Sequence, residues 1–206
     1  MFGLLVAALL SIGLVAPASA GVTISFWSHE SGQNFPHAFF VLEGTPDAGG
    51  ARVQVSYGFT AKAITPAILL GSVAGKIEES TPGYIHSSDA HFAVMLTDAQ
   101  YAAVTELVQQ WGEAGNSRYN LNRRNCVHFV AEAARRAGLT VVEDRKLMKK
   151  PRSFVHSLEP LNEGRVRLLE MPGKAFYELA DRTTAPRSAP AAVPGAPAMN
   201  EAVAAD

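Results

Sequence analysis

Two strand patterns joined by a turn constrain the fold of this chain most strongly. HAFFVLEG, residues 37–44, is mostly apolar, and ARVQVSYGF, residues 51–59, alternates apolar and polar residues. The connecting TPDAGG contains the Pro, Asp and Gly residues that are typical of tight turns. The pattern predicts an antiparallel β-hairpin.

Three other segments have the β-branched and aromatic composition of strands, and the rest of the chain supplies helices. The strand candidates are 22–27, 73–80 and 89–96, and the turn TPGYIHSS separates the last two. RVRLLEM, residues 165–171, is either a last strand or a covering segment. NSRYNLNRR and RKLMKKPRSF are interpreted as loops.

Residues 97–111 form the clearest helical pattern, in which Thr97 and Gln100 make a capping box and Trp111 shares one face with Tyr101. A second helix is predicted from about 126 to 137, ended by Gly138. Several strands followed by two helices predict the α+β class, with an antiparallel sheet packed against the helices.

The two ends of the chain differ in composition from the middle. Residues 1–20 contain an apolar run followed by Pro17 and the small triplet ASA, which predicts a secretory signal peptide cleaved after Ala20. An uncleaved membrane anchor is the alternative, but the run is shorter than the roughly 20 residues that span a bilayer. Residues 183–206 are rich in Ala and Pro and are expected to be disordered.

We therefore expect one periplasmic or secreted domain over 21–182, with its core at about 22–140 and a covering segment at 141–182. No later stretch is apolar enough to span a membrane, so no stable span is expected in the mature chain. The net charge of −1 gives no electrostatic case for binding nucleic acid. The oligomeric state cannot be read from the sequence.

The chain contains a single cysteine, Cys126. Exported proteins usually hold cysteines in pairs as disulfides, so a lone thiol is either a small buried hydrophobe or a reactive group. If Asn125 caps the second helix, Cys126 stands at its first position, where unpaired N–H groups and the helix dipole favour the thiolate. We expect a lowered thiol pKa there, to which Arg123 and Arg124 would add.

A nucleophilic thiol also needs a base. His128 is close in sequence, but positions two apart on a helix point in different directions. We expect His128 and Asn125 to support the site rather than react. His37, at the start of an apolar strand, is the better partner, and His29, His86 and His91 are alternatives.

No cofactor and no metal are expected. A zinc site is disfavoured because the sole cysteine is committed elsewhere and His86 and His91 are poorly spaced on one element.

HAFFVLEG followed by YNLNRRNCVHFVAEAARRAGL resembles the permuted papain-like superfamily, in which the histidine strand precedes the cysteine helix. NCVHFV is similar to the NC-x-HF sequence motif of the lecithin:retinol acyltransferase and NlpC-type families. The wider layout resembles periplasmic Lnb-type lipoprotein acyltransferase domains. The resemblance covers about residues 22–140.

The resemblance implies a permuted papain-like fold in which Cys126 is the nucleophile and His37 the general base, acting through a thioester. Many members carry a third polar residue on the strand after the histidine. That strand has no His, Asp or Glu here, so Gln54, Ser56 or Tyr57 would have to take the role.

The expected function is an exported cysteine hydrolase or acyltransferase that acts on an amide or ester of the cell envelope. The acyl substrate is either lipid-linked or a cell-wall peptide, and we favour lipid-linked chemistry. ITPAILLGSVAG, residues 64–75, is interpreted as a buried core segment, with an apolar flap as the alternative. A non-enzymatic envelope binding module, using basic residues between 145 and 152, is the competing class.

Overall fold

The computed structural model describes residues 21–30 and 35–184, with side chains described through residue 179. The expected signal peptide, residues 1–20, lies outside the described residues. The disordered tail was expected over residues 183–206, but Thr183 and Thr184 belong to the last helix. The rest of that tail, from residue 185 onward, lies outside the described residues.

The described residues form seven strands and six α-helices. The strands are β1 Gly21–His29, β2 His37–Thr45, β3 Val53–Ala61, β4 Ser72–Glu78, β5 Asp89–Leu96, β6 Arg118–Asn120 and β7 Arg167–Pro172. The helices are α1 Ala67–Leu70, α2 Pro82–His86, α3 Asp98–Trp111, α4 Cys126–Arg136, α5 Pro151–Leu158 and α6 Gly173–Thr184.

The strands make one seven-stranded antiparallel sheet in the order β6-β4-β3-β2-β1-β5-β7. The predicted hairpin is confirmed as β2 and β3, in which Phe40 lies opposite Tyr57. The α+β class is therefore confirmed. At the start of β2, His37 and Ala38 pair with β1, and the pairing with β3 begins at Phe39.

Helices cover both faces of the sheet. Phe40 and Leu42 of β2 face a core with residues of α3, α4 and α5, including Phe129 and Phe154. Phe39, of the same strand, faces a smaller core that includes Trp27 and is covered by residues of α2 and α6. This alternation follows from the two-residue period of a strand.

The local predictions that depend on capping and period are confirmed. The Thr97–Gln100 capping box starts α3 at Asp98, and α4 begins at Cys126. The segment RVRLLEM contains β7. Pro66 precedes the short helix α1.

Several expectations were wrong where tertiary contacts decide the structure. TPGYIHSS contains α2 rather than a simple turn, and the two expected loops contain β6 and the start of α5. Residues 64–70 are not a buried core segment, because Ile64, Leu69 and Leu70 are exposed. No helix in the described part of the chain is long and apolar enough to cross a membrane.

Trp111 joins α3 to the sheet and to α4. Its ring lies 5.0 Å from that of Phe59 and 5.3 Å from that of Phe129, and the Arg124 guanidinium lies 3.6 Å above it. We expect Trp111→Ala to lower the free energy of unfolding by about 3 kcal/mol, because it removes the contacts of the indole with these three groups and leaves a cavity between them.

Chemical denaturation measures this difference. Leu70→Ala removes an exposed side chain and is the control, with an expected change within about 0.5 kcal/mol. A Trp111→Ala variant as stable as this control would contradict the packing role.

Candidate active site

The Asn125 side chain fixes the start of α4. Its Oδ1 accepts hydrogen bonds from the backbone N–H groups of Val127 at 2.9 Å and His128 at 3.2 Å. Its Nδ2 donates to the carbonyls of Leu121 at 2.9 Å and Met148 at 2.7 Å. Asn125 is therefore the predicted N-cap, and Cys126 stands at the first helical position.

The thiol of Cys126 lies against the beginning of β2. The backbone N–H groups of Ala38, Val127 and Cys126 itself lie near the sulfur, and their partial positive charges lower the thiol pKa. Burial outweighs them and raises the pKa above its ordinary value. The expected lowered pKa was therefore wrong in direction, and the thiol is protonated at neutral pH.

Arg124 does not add a charge at the sulfur. Its guanidinium is stacked over Trp111, and Nη2 donates to the Asn116 carbonyl at 2.6 Å. The helix start thus supplies N–H groups near the thiol, while this neighbouring cation is used in packing.

His37 is the first residue of β2 and is partly buried. Its ring lies over Gly58 of β3, and a Cβ added to Gly58 would overlap the His37 Nε2. The ring is nearly parallel to that of Phe39, with the centroids 6.4 Å apart. Burial lowers the pKa of His37 to about 4, the Glu78 carboxylate opposes this shift, and His29 adds to it. The imidazole is therefore neutral at neutral pH and able to accept a proton.

Cys126 and His37 line the same cavity, which has a volume of about 730 Å³. Among the described residues no hydrogen bond joins the sulfur to the His37 ring. Ala38 links them through the backbone, because its N–H lies near the sulfur and its neighbour carries the imidazole. Catalytic hydrogen bonds are often long without substrate, so this arrangement is compatible with a thiol–imidazole pair.

Three residues that the sequence did not indicate also line this cavity: Tyr84, Tyr119 and Glu78. Burial raises the pKa of both tyrosines, and the nearby Cys126 raises it further, so both phenols remain protonated donors. Glu78 of β4 lies opposite Gly58, beneath His37, and is the carboxylate that favours the His37 cation.

The three residues predicted as a possible third member are placed elsewhere. Ser56 is buried, and its Oγ accepts from the Ser80 N–H at 2.7 Å. Gln54 and Ser56 line a second cavity, and Tyr57 packs against Phe40 with its ring 5.9 Å away. None of the three lines the cavity that Cys126 and His37 share.

His128 supports the helix start. Its Nδ1 accepts a hydrogen bond from the Asn125 backbone N–H at 3.4 Å, which closes the capping box and places the side chain on the cap.

The alternative histidines lie outside the cavity lining. His29 is buried and stacks on Tyr84 at 4.3 Å, and its Nδ1 lies 3.1 Å from Ser88 Oγ. His86 packs near Tyr177, and His91 belongs to a separate cluster with His156.

No family model matches this chain, and no curated protein or solved structure was found to be similar to it.

The His37 pKa predicts a measurable pH dependence. We expect the ring to titrate near pH 4 in nuclear magnetic resonance spectra, assigned with His37→Gln. Since the unfolded chain binds this proton at its ordinary pKa of 6.5, stability should fall as the pH falls from 6.5 towards 4. Part of that loss should vanish in His37→Gln.

Glu78→Gln should lower the His37 pKa further, because it removes the carboxylate that opposes the shift. Glu79→Gln, which also changes a cavity-lining carboxylate, is the matched control and should have a smaller effect. A His37 ring that titrates near 6.5 would contradict this description of the site.

Proposed function

We propose that this chain is a thiol enzyme that transfers or hydrolyses an acyl group, with Cys126 as nucleophile and His37 as general base. The observation that carries the proposal is the single thiol at the start of α4, with backbone N–H groups near its sulfur, in a cavity that an uncharged imidazole also lines. The order of histidine strand and cysteine helix, on an antiparallel sheet, supports a permuted papain-like assignment.

The chemistry starts from a neutral pair rather than a preformed thiolate. Substrate binding excludes water and draws the His37 ring towards the sulfur. His37 accepts the thiol proton while Cys126 Sγ bonds to the acyl carbon, and the carbonyl electron pair moves to oxygen. The backbone N–H of Cys126 stabilises this oxyanion, together with the Tyr84 or Tyr119 hydroxyl.

Collapse of the tetrahedral intermediate breaks the bond to the alcohol or amine, which takes the proton from the His37 imidazolium. The acyl group remains on Cys126 as a thioester. Water or an acceptor alcohol or amine then attacks, with His37 again taking the proton, and the thiol is regenerated. Glu78 favours the imidazolium that exists between these steps.

The surface around the cavity supports an apolar acyl group over a cell-wall peptide. Ile64 and Leu69 line the cavity and are 60% and 74% exposed, and Phe35 lies on the same rim. Exposed apolar side chains beside a cavity are typical of a site that binds apolar ligands. The segment 64–70 is therefore interpreted as an apolar flap beside the thiol.

Acylation of Cys126 by an activated ester tests the proposal. We expect p-nitrophenyl butyrate to leave a butyryl group that intact-protein and peptide mass spectrometry locate on Cys126. Cys126→Ala should remove the adduct with little loss of stability. His37→Ala should slow its formation by roughly 10²–10⁴-fold, which is the usual contribution of a general base.

His86→Ala, an exposed histidine outside the cavity, is the control and should react at the wild-type rate. Acylation that is equally fast in His37→Ala, or that occurs on residues other than Cys126, would contradict the enzyme proposal. A non-enzymatic binding module would then be the better interpretation.

Leu69 and Leu70 provide a matched pair for the acyl-chain preference. Both are exposed on α1, but only Leu69 belongs to the cavity lining. Leu69→Ser should reduce the rate ratio of octanoyl to acetyl p-nitrophenyl esters by about tenfold, because burying several CH₂ groups against it contributes about 0.8 kcal/mol each. Leu70→Ser should leave the ratio unchanged.

Equal losses in both variants would place the apolar contact on the surface of α1 rather than in the cavity. No change in either would exclude the flap as an acyl-chain contact.

A further inference from the structure

A second group of chemically active side chains lies outside the thiol cavity. His91 of β5, His156 of α5, Glu159 at the end of α5 and Glu170 of β7 have one donor atom each within 4.8 Å of one another. We call these four residues the β5–α5–β7 cluster. None of them lines the cavity that contains Cys126.

Both imidazoles present Nδ1 to the same carboxylate. His91 Nδ1 lies 3.3 Å from Glu170 Oε1, and His156 Nδ1 lies 3.7 Å from that oxygen. His156 Nδ1 is also 3.0 Å from Glu159 Oε1. The two rings cross nearly edge-on, with their centroids 4.4 Å apart.

The other nitrogen of His91 has a partner behind the cluster. Nε2 lies 2.8 Å from Ser28 Oγ, and His91 is only 1% exposed. When Nε2–H donates to this hydroxyl, the lone pair of Nδ1 points at Glu170. This is the outer hydrogen bond that fixes the tautomer of metal-binding histidines.

The backbone places two of the four residues at irregular positions of the sheet. Ala90 pairs with Met171 and Phe92 with Leu168, so the single residue His91 lies opposite two residues of β7. The pairing of β5 with β1 shifts at the same place. Glu170 has φ 42°, and in the described chain no other non-glycine residue has positive φ. Such bulges redirect side chains.

Two carboxylates, those of Glu159 and Glu170, lie within 4.8 Å of each other in the cluster. The Arg152 guanidinium is paired with Asp89 at 2.9 Å, outside the cluster.

From this geometry we propose that the β5–α5–β7 cluster binds a divalent transition-metal ion, with Zn²⁺ as the best fit. Imidazole nitrogen and carboxylate oxygen are common zinc ligands, and metal–ligand distances of about 2.0–2.2 Å place tetrahedral ligands about 3.3 Å apart. Three pairs of donor atoms are 3.0, 3.3 and 3.7 Å apart, near this separation, and all the pairs lie within 4.8 Å.

A site with four protein ligands is structural rather than catalytic. It would tie α5 to β5 and β7. Since Pro151 at the start of α5 lines the thiol cavity, the ion would also hold one wall of that cavity. In the sequence, zinc was disfavoured partly because His86 and His91 are poorly spaced on one element. The ligands of the β5–α5–β7 cluster come from three elements instead.

The test uses the full mature chain, freed of metal with a chelator and titrated with ZnCl₂. We expect one zinc per chain by atomic emission and calorimetry. We also expect the thermal midpoint to rise by about 5–10 °C when free zinc is about 100-fold above its Kd. Co²⁺ in its place should give the intense visible absorption of a four-coordinate site.

His156→Ala and Glu170→Gln should each lower zinc affinity at least tenfold and abolish the thermal shift. His86→Ala and Cys126→Ala are the controls and should bind zinc as the wild type does. Absence of stoichiometric binding, or binding that survives both cluster variants, would overturn the proposal. The cluster would then be a set of hydrogen bonds that joins the three elements.

Discussion

The side-chain amide of Asn125 determines where α4 begins, and the candidate site depends on that position. One oxygen accepts two backbone N–H groups of the helix, and the amide nitrogen donates to carbonyls on either side of it in sequence. Because the cap is buried, a side chain that could not satisfy these groups would leave several unpaired polar atoms in the interior. The cap thus holds Cys126 near the N–H of Ala38, and the preceding residue of β2, His37, lines the same cavity as the thiol.

Burial has opposite effects on the two groups that the proposed chemistry uses. It raises the pKa of the Cys126 thiol and lowers that of His37 to about 4, so both are uncharged at neutral pH. The N–H groups near the sulfur lower the thiol pKa, but in the free protein they do not offset the effect of burial. In the proposed attack on an acyl carbon, N–H donors near the sulfur would stabilise the negative charge that develops on the acyl oxygen. The arrangement therefore favours general-base attack over storage of a reactive thiolate.

The sequence predicted the features that depend on neighbouring residues. The hairpin of β2 and β3, the capping box at Thr97 and the helix start at Asn125 follow from local period and cap chemistry. The positions of Glu78 and Tyr84 depend on the order of the strands and on α2, which the sequence suggested only as a turn. The grouping of His91 with His156 depends on the irregular pairing of β5 with β7 and on α5. The start of α5 lies in a segment that the sequence analysis interpreted as a loop. The direction of the thiol pKa depends on burial, which local pattern does not specify.

The protonation state of Cys126 tests the central claim most directly. Thiolate absorbance in the ultraviolet, measured against pH as the difference between the wild type and Cys126→Ala, gives the thiol pKa without a substrate. The neutral pair predicts no thiolate at neutral pH and a titration above the ordinary thiol value of 9.0. A thiolate already present at pH 6.5, the ordinary pKa of histidine, and lost in His37→Ala would show a preformed ion pair and contradict the account.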